Sequence, residues 1–295
     1  MKRILFILCF VATIQMLSLS LMLFADDSII ATGAQVEKVV DGFGFIEGPA
    51  VTSNGDIYFV DDPNSKIYFW SVSDRKLSVF VEQSAHANGM YVDRNGDLVV
   101  CEGETGCVVS YDPSGKRTVL ASTFDGKRFN KPNDLWIDSK GGIYFTDPVY
   151  GKDYKVIQDG EHVYYILPDK SKVLKVVTDM VKPNGIIGTP DGKQLYITDQ
   201  VAGKVWRYVI QPDGTLSDKM LFANIGVDGM TIDNRGNIYI TADQIYVFDS
   251  NGKEIQRIKV PEVPANLCFG GKDRKTLYIT ARKGLYRLEM NVHGY

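Results

Sequence analysis

Histidine is nearly absent: the 295-residue chain carries three, His86, His162 and His293. A metal centre built on several imidazoles is thereby excluded, and any bound metal has to sit among oxygen ligands. Cysteine is sparse too, four in all, which excludes a disulfide-dense scaffold. No run of basic residues occurs, and 33 Lys and Arg against 36 Asp and Glu leave a formal charge of −3. A nucleic-acid partner would need clustered cations for its phosphates, so none is expected. The chain contains no G-x-S-x-G elbow, no H-E-x-x-H and no P-loop. Beyond residue 25, no apolar stretch approaches the roughly 20 residues that cross a bilayer.

The one long apolar run lies at the start. Lys2 and Arg3 precede Ile4–Phe24, which ends at Ala25-Asp26-Asp27. A basic segment followed by a long apolar one predicts an export signal cleaved after Ala25, with an uncleaved membrane anchor as the alternative. Cys9 lies too early in this run for a lipoprotein signal. The expected organisation is a signal or anchor over 1–25 and one folded domain over 26–295. The protein is then exported, periplasmic or secreted, and any contact with a membrane is through the retained segment.

Within the domain a single pattern recurs: a polar residue, a short apolar strand, a turn of Gly with Asp or Asn, and a second strand. The copies begin at Glu47, Asn88, Asn133, Asn184, Asp228 and Asn266, for example Glu47-GPAVTSNGDIYFVDD and Asp228-GMTIDNRGNIYITAD. A spacing of about 44 residues is that of a four-stranded propeller blade. The second strands (IYFV, IYFT, LYIT, IYIT) are rich in β-branched and aromatic residues, as pleated, buried strands require. Third strands follow, as in KIYFWS and KVWRYVI, but only five copies show a fourth. Gln35-VEKVVDGF, ahead of the first copy, resembles the missing strand. The expected fold is therefore all-β, a six-bladed β-propeller whose N-terminal strand completes the last blade and removes the open edge.

In a propeller the first strand of each blade is innermost, so the six copy-start residues should ring one mouth of the central channel. Asn and Asp can also simply cap strand starts by bonding to local backbone. Two carboxylates among carboxamides, without His or Cys, form the ligand set of a hard divalent cation: Ca²⁺ first, with Zn²⁺, Mn²⁺ and Mg²⁺ as alternatives. Cys101 and Cys107 flank a predicted turn, where a disulfide and free buried thiols are both open, with free thiols preferred. For His86, two residues before Asn88, a place facing the pocket and a surface or structural role are both open, with the latter preferred.

The strings FIEGPAV at 45–51, GKRFNKPNDLWIDSKGGIYFTDPVYG at 126–151, KPNGIIGTPDGKQLYITD at 182–199, VDGMTIDNRGNIYITA at 227–242 and VPANLCFGGKDRKTLYITA at 263–281 carry more than a generic repeat. In them the chain resembles the gluconolactonase/regucalcin family of six-bladed propellers, related more distantly to diisopropyl fluorophosphatase and the paraoxonases. The resemblance implies that Glu47, Asn184 and Asp228 hold a divalent cation. It makes Asn133 a fourth ligand or a substrate contact, Arg128 a substrate-binding residue and Asp228 the catalytic carboxylate. The implied activity is metal-dependent hydrolysis of a small lactone, such as a sugar lactone. A non-catalytic ligand-binding propeller with structural Ca²⁺ and a phosphotriesterase-like hydrolase using the same site are the alternatives. Where the family often has Cys-Glu-His-Gly, this chain has Cys101-Glu102-Gly103-Glu104, and the loop before Asp228 is short.

Overall fold

The computed structural model describes residues 28–151, 155–226 and 228–295. The expected leader, 1–25, lies outside them. Among the described residues the strands form six four-stranded antiparallel sheets and one two-stranded hairpin, with no helix. Blade 1 runs outward from the axis as Ile46–Val51, Ile57–Asp61, Lys66–Ser71 and Lys76–Val81. Blades 2 to 5 repeat that order, their innermost strands being Ala87–Val92, Leu135–Ile137, Pro183–Gly188 and Met230–Ile232.

Blade 6 is assembled from both ends of the chain. Pro264–Gly270, Thr276–Ala281 and Gly284–Glu289 take Glu37–Asp41 as their outer strand, with Arg287 paired to Glu37. The strand missing from the sixth repeat is thus the N-terminal one, and the ring has no unpaired blade.

Burial follows position in the blade. Ile143–Asp147, a second strand, is buried throughout, whereas Lys76–Val81, an outer strand, is largely exposed. Apolar faces of neighbouring blades interdigitate: Ala50, Val60 and Ile67 of blade 1 pack on Met90, Val100 and Val109 of blade 2. Each of the Val, Ile and Met side chains among them, fully buried, contributes about 1.5–3 kcal/mol. The hairpin turns are closed by aspartates: Asp93, Asp138 and Asp233 each accept the backbone N–H of the residues two and four further on.

The cysteines fall as free, buried thiols at Cys101, Cys107 and Cys268. Strand register explains why the first two stay apart. Cys101 lies opposite Val108, and Cys107 opposite Glu102, so their side chains project from opposite faces of blade 2.

Candidate active site at the channel mouth

Two devices of the repeat aim side chains at the axis. The register slips between Glu47 and Ala50, Ala87 and Met90, Pro183 and Ile186, and Pro264 and Asn266, so the innermost strands bulge at or beside the copy-start residues. The glycine that follows lets the next blade close in. At Gly48, with φ of +51°, a Cβ would lie 1.9 Å from the carbonyl oxygen of Asn88. At Gly185 it would lie 2.3 Å from that of Asp228.

A third device positions the segments that enter those strands. The acid ending the second strand accepts backbone N–H groups from the segment leading into the first: Asp61 from Gly44 and Phe45, Asp147 from Asn130, Asp199 from Val181 and Lys182. Blade 2 differs. There the fully buried Glu102 takes Arg117, Tyr111 and Thr105 instead.

These features enclose a cavity of about 360 Å³ at one mouth of the channel. Glu47, Asn88, Asn133, Asn184 and Asp228 line it, as the repeat predicts. Asn266 does not; its Oδ1 is taken by the backbone N–H of Leu267. Nor does Arg128 line the cavity. The hairpin Thr123–Phe124 and Lys127–Arg128 holds it outside, where its guanidinium donates to the carbonyls of Glu104, Phe129 and Asn130. The cationic groups that do line the cavity are Lys131 and Arg282, with His86 beside them. Arg282 has a left-handed backbone, φ +48°, and its guanidinium lies 5.6 Å over the ring of Phe45. His86 is likewise left-handed, φ +50°, with Nδ1 2.9 Å from the carbonyl of Asp62. Strain of this kind gathers at working sites.

The acids at the centre are pushed toward their neutral forms. Burial and the neighbouring charges of Asp228 and Asp134 raise Glu47 well above the usual carboxylate range. Burial and Asp134 raise Asp228 to about 7, while a hydrogen bond from Asn184 and the charge of Arg282 oppose the shift. Asn133 Oδ1 is buried and accepts no hydrogen bond. Two adjacent carboxylates that resist ionising together, beside an amide oxygen with nothing to bind, fit a hard divalent cation. Among the described residues no group of three or more His, Cys, Asp or Glu suits a metal. Any cation here therefore draws on the amides as well as the acids.

Ring closure and an axial cavity lined by acids and amides define a six-bladed propeller with its site at the channel mouth. The chain belongs to the SMP-30/gluconolactonase/LRE-like family, whose model matches residues 37–283. It is 30% identical to the gluconolactonase of Zymomonas mobilis over 91% of this chain and 85% of that one. It is 28% identical to the pentonolactonase of Haloferax volcanii over 77% and 78% of the two chains. The solved gluconolactonase of Xanthomonas campestris superposes with a TM-score of 0.83 at 27% identity, covering 89% and 91%.

Lys131, Tyr150, Gln200 and Arg282 also line the cavity but do not stand out in the sequence. Lys131 is two residues before Asn133 and, like Tyr150, inside the string at 126–151 that carries the family resemblance. The others lie on loops that join second to third strands, in three different blades. The largest gap between copies, Asn133 to Asn184, marked where the extra loop bearing Tyr150 had to be.

Proposed function

We propose that the protein is a divalent-cation-dependent lactonase acting on a sugar lactone or a similar small cyclic ester. The observation that carries this reading is the convergence of Glu47, Asn133, Asn184 and Asp228 on one cavity, with Asn133 Oδ1 buried and unpartnered. These four residues would hold the cation, and an all-oxygen set favours Ca²⁺. When bound, the cation supplies charge that polarises the ester carbonyl and offsets the two carboxylates.

Asp228 is the general base. Its carboxylate takes a proton from water as the water oxygen bonds to the acyl carbon; the ring C–O bond then breaks, and the freed oxygen regains a proton to give the hydroxy acid. Lys131 and Arg282 bind the oxygens of the substrate, the part the resemblance would give to Arg128. The gluconolactonase and pentonolactonase relatives support a sugar lactone as substrate. The Ile4–Phe24 segment supports export or membrane anchoring.

A panel of sugar and aliphatic lactones tests the reading, assayed after chelation and after return of Ca²⁺, Mg²⁺, Mn²⁺ or Zn²⁺. Turnover restored by a cation is expected. Absence of turnover on every lactone with every cation would refute it.

A further inference from the structure

The amide of Asn184 is held by a directed chain of hydrogen bonds that runs along the cavity wall from Gln200. Tyr150 Oη donates to Gln200 Oε1 at 2.8 Å, so its oxygen is left to accept, and Asn184 Nδ2 donates to it at 2.7 Å. A carboxamide nitrogen has two hydrogens. The one given to Tyr150 fixes the nitrogen on that side and turns Oδ1 the other way.

Tyr150 is itself clamped. The Lys182 ammonium bonds to the Val149 carbonyl and to Glu161 at 2.9 Å, and lies 4.8 Å over the Tyr150 ring. Glu161 Oε2 in turn accepts the Val149 N–H at 2.9 Å. Both backbone groups of the residue before Tyr150 are thus held by one largely buried ion pair. Lys182 lies two residues before Asn184, so the clamp ties the Tyr150 loop to the strand that carries the amide it orients.

We propose that Tyr150 is a positioning residue that sets the Asn184 carboxamide with its oxygen toward the cation, and that the Lys182–Glu161 pair is the latch that holds Tyr150 in place. The inference rests on the reading of the cavity as a cation-dependent lactonase site. Without the phenolic oxygen, the amide can rotate and present its nitrogen to the cation. Orienting partners of this kind typically affect metal affinity by about 10- to 100-fold.

The test is calorimetric titration of Ca²⁺ into chelator-stripped full-length protein, with lactone kinetics alongside. Tyr150→Phe should weaken Ca²⁺ binding about tenfold or more and lower kcat at subsaturating Ca²⁺, while KM for the lactone at saturating Ca²⁺ stays within about twofold. Lys182→Met should weaken Ca²⁺ binding in the same direction, and Lys182→Arg should restore most of it. Unchanged Ca²⁺ affinity in both Tyr150→Phe and Lys182→Met, in proteins that melt like wild type, would overturn the proposal. So would a raised KM with unchanged Ca²⁺ affinity, which would make Tyr150 a substrate contact. If wild type neither binds Ca²⁺ nor hydrolyses any lactone, the functional reading itself fails, an outcome separable from the other two.

Discussion

Asp147 is fully buried, accepts the Asn130 N–H through one carboxylate oxygen and leaves the other without a partner. Burial raises its carboxyl to about 7, against about 3.9 in an unfolded chain. The folded protein therefore keeps this proton where the unfolded chain has released it. The stability Asp147 contributes is full below pH 4 and is lost as pH rises toward 7, on the order of 2–4 kcal/mol. Asp147→Asn keeps an acceptor for Asn130 and should flatten that part of the melting temperature's pH dependence between pH 4 and 7. An unaltered slope would show that Asp147 ionises freely. Asp228→Asn should lower kcat by about a thousandfold or more while the melting temperature changes by only a few degrees, and near-wild-type turnover would remove Asp228 from catalysis. The ring acids and amides were readable because each opens a repeat. Arg128 is not among the cavity's lining residues: its guanidinium is taken up by the carbonyls of Glu104, Phe129 and Asn130, and it sits on a hairpin inserted between a fourth and a first strand, which breaks the pattern that located the rest.

The innermost strand is the element that makes the site, and its glycines set how near the axis the strands come. Gly48→Ala places a Cβ 1.9 Å from the Asn88 carbonyl oxygen in a left-handed backbone. It should cost about 2 kcal/mol or more, from overpacking added to backbone strain, and should weaken Ca²⁺ binding by displacing Glu47. Gly96, at φ +88°, has open space where a Cβ would go, so Gly96→Ala should cost only about 1 kcal/mol and leave Ca²⁺ binding unchanged. Urea denaturation of both variants separates the two costs; equal losses would mean that blade approach at Gly48 is unimportant. Strand existence and order were legible from alternation and from Asp-Gly and Asn-Gly turns. The bulges at the copy starts were not, because these innermost strands are buried almost throughout and carry no clean alternation for an extra residue to interrupt. The second-strand acids Asp61, Asp147 and Asp199 were visible in the repeats, but their backbone partners are residues of the preceding loops, which carry no motif of their own.

At the scale of the molecule, closure joins the chain's ends. Glu37–Asp41 covers the edge of Gly284–Glu289, and a chain beginning at residue 43 would leave that edge open to pair with other chains. Such a truncation should lower the melting temperature by at least about 10 °C and promote association in sedimentation. Glu37→Ala, which removes only an exposed ion pair, should cost under about 1 kcal/mol. A monomeric, equally stable truncation would show that the ring does not depend on its last strand. That closure was legible because one repeat lacked a strand and the segment ahead of the first repeat supplied it. Closure matters to function because Glu47 and Asp228 come from blades 1 and 5, and blade 6 between them is the one the two chain ends complete. The most direct test of the central claim is the initial rate of gluconolactone hydrolysis by chelator-stripped wild type as Ca²⁺ is returned, measured beside Asp228→Asn. Saturable recovery in wild type and none in the variant is predicted. Equal rates in the two proteins, or full activity in the stripped enzyme, would contradict a cation-dependent lactonase centred on Asp228.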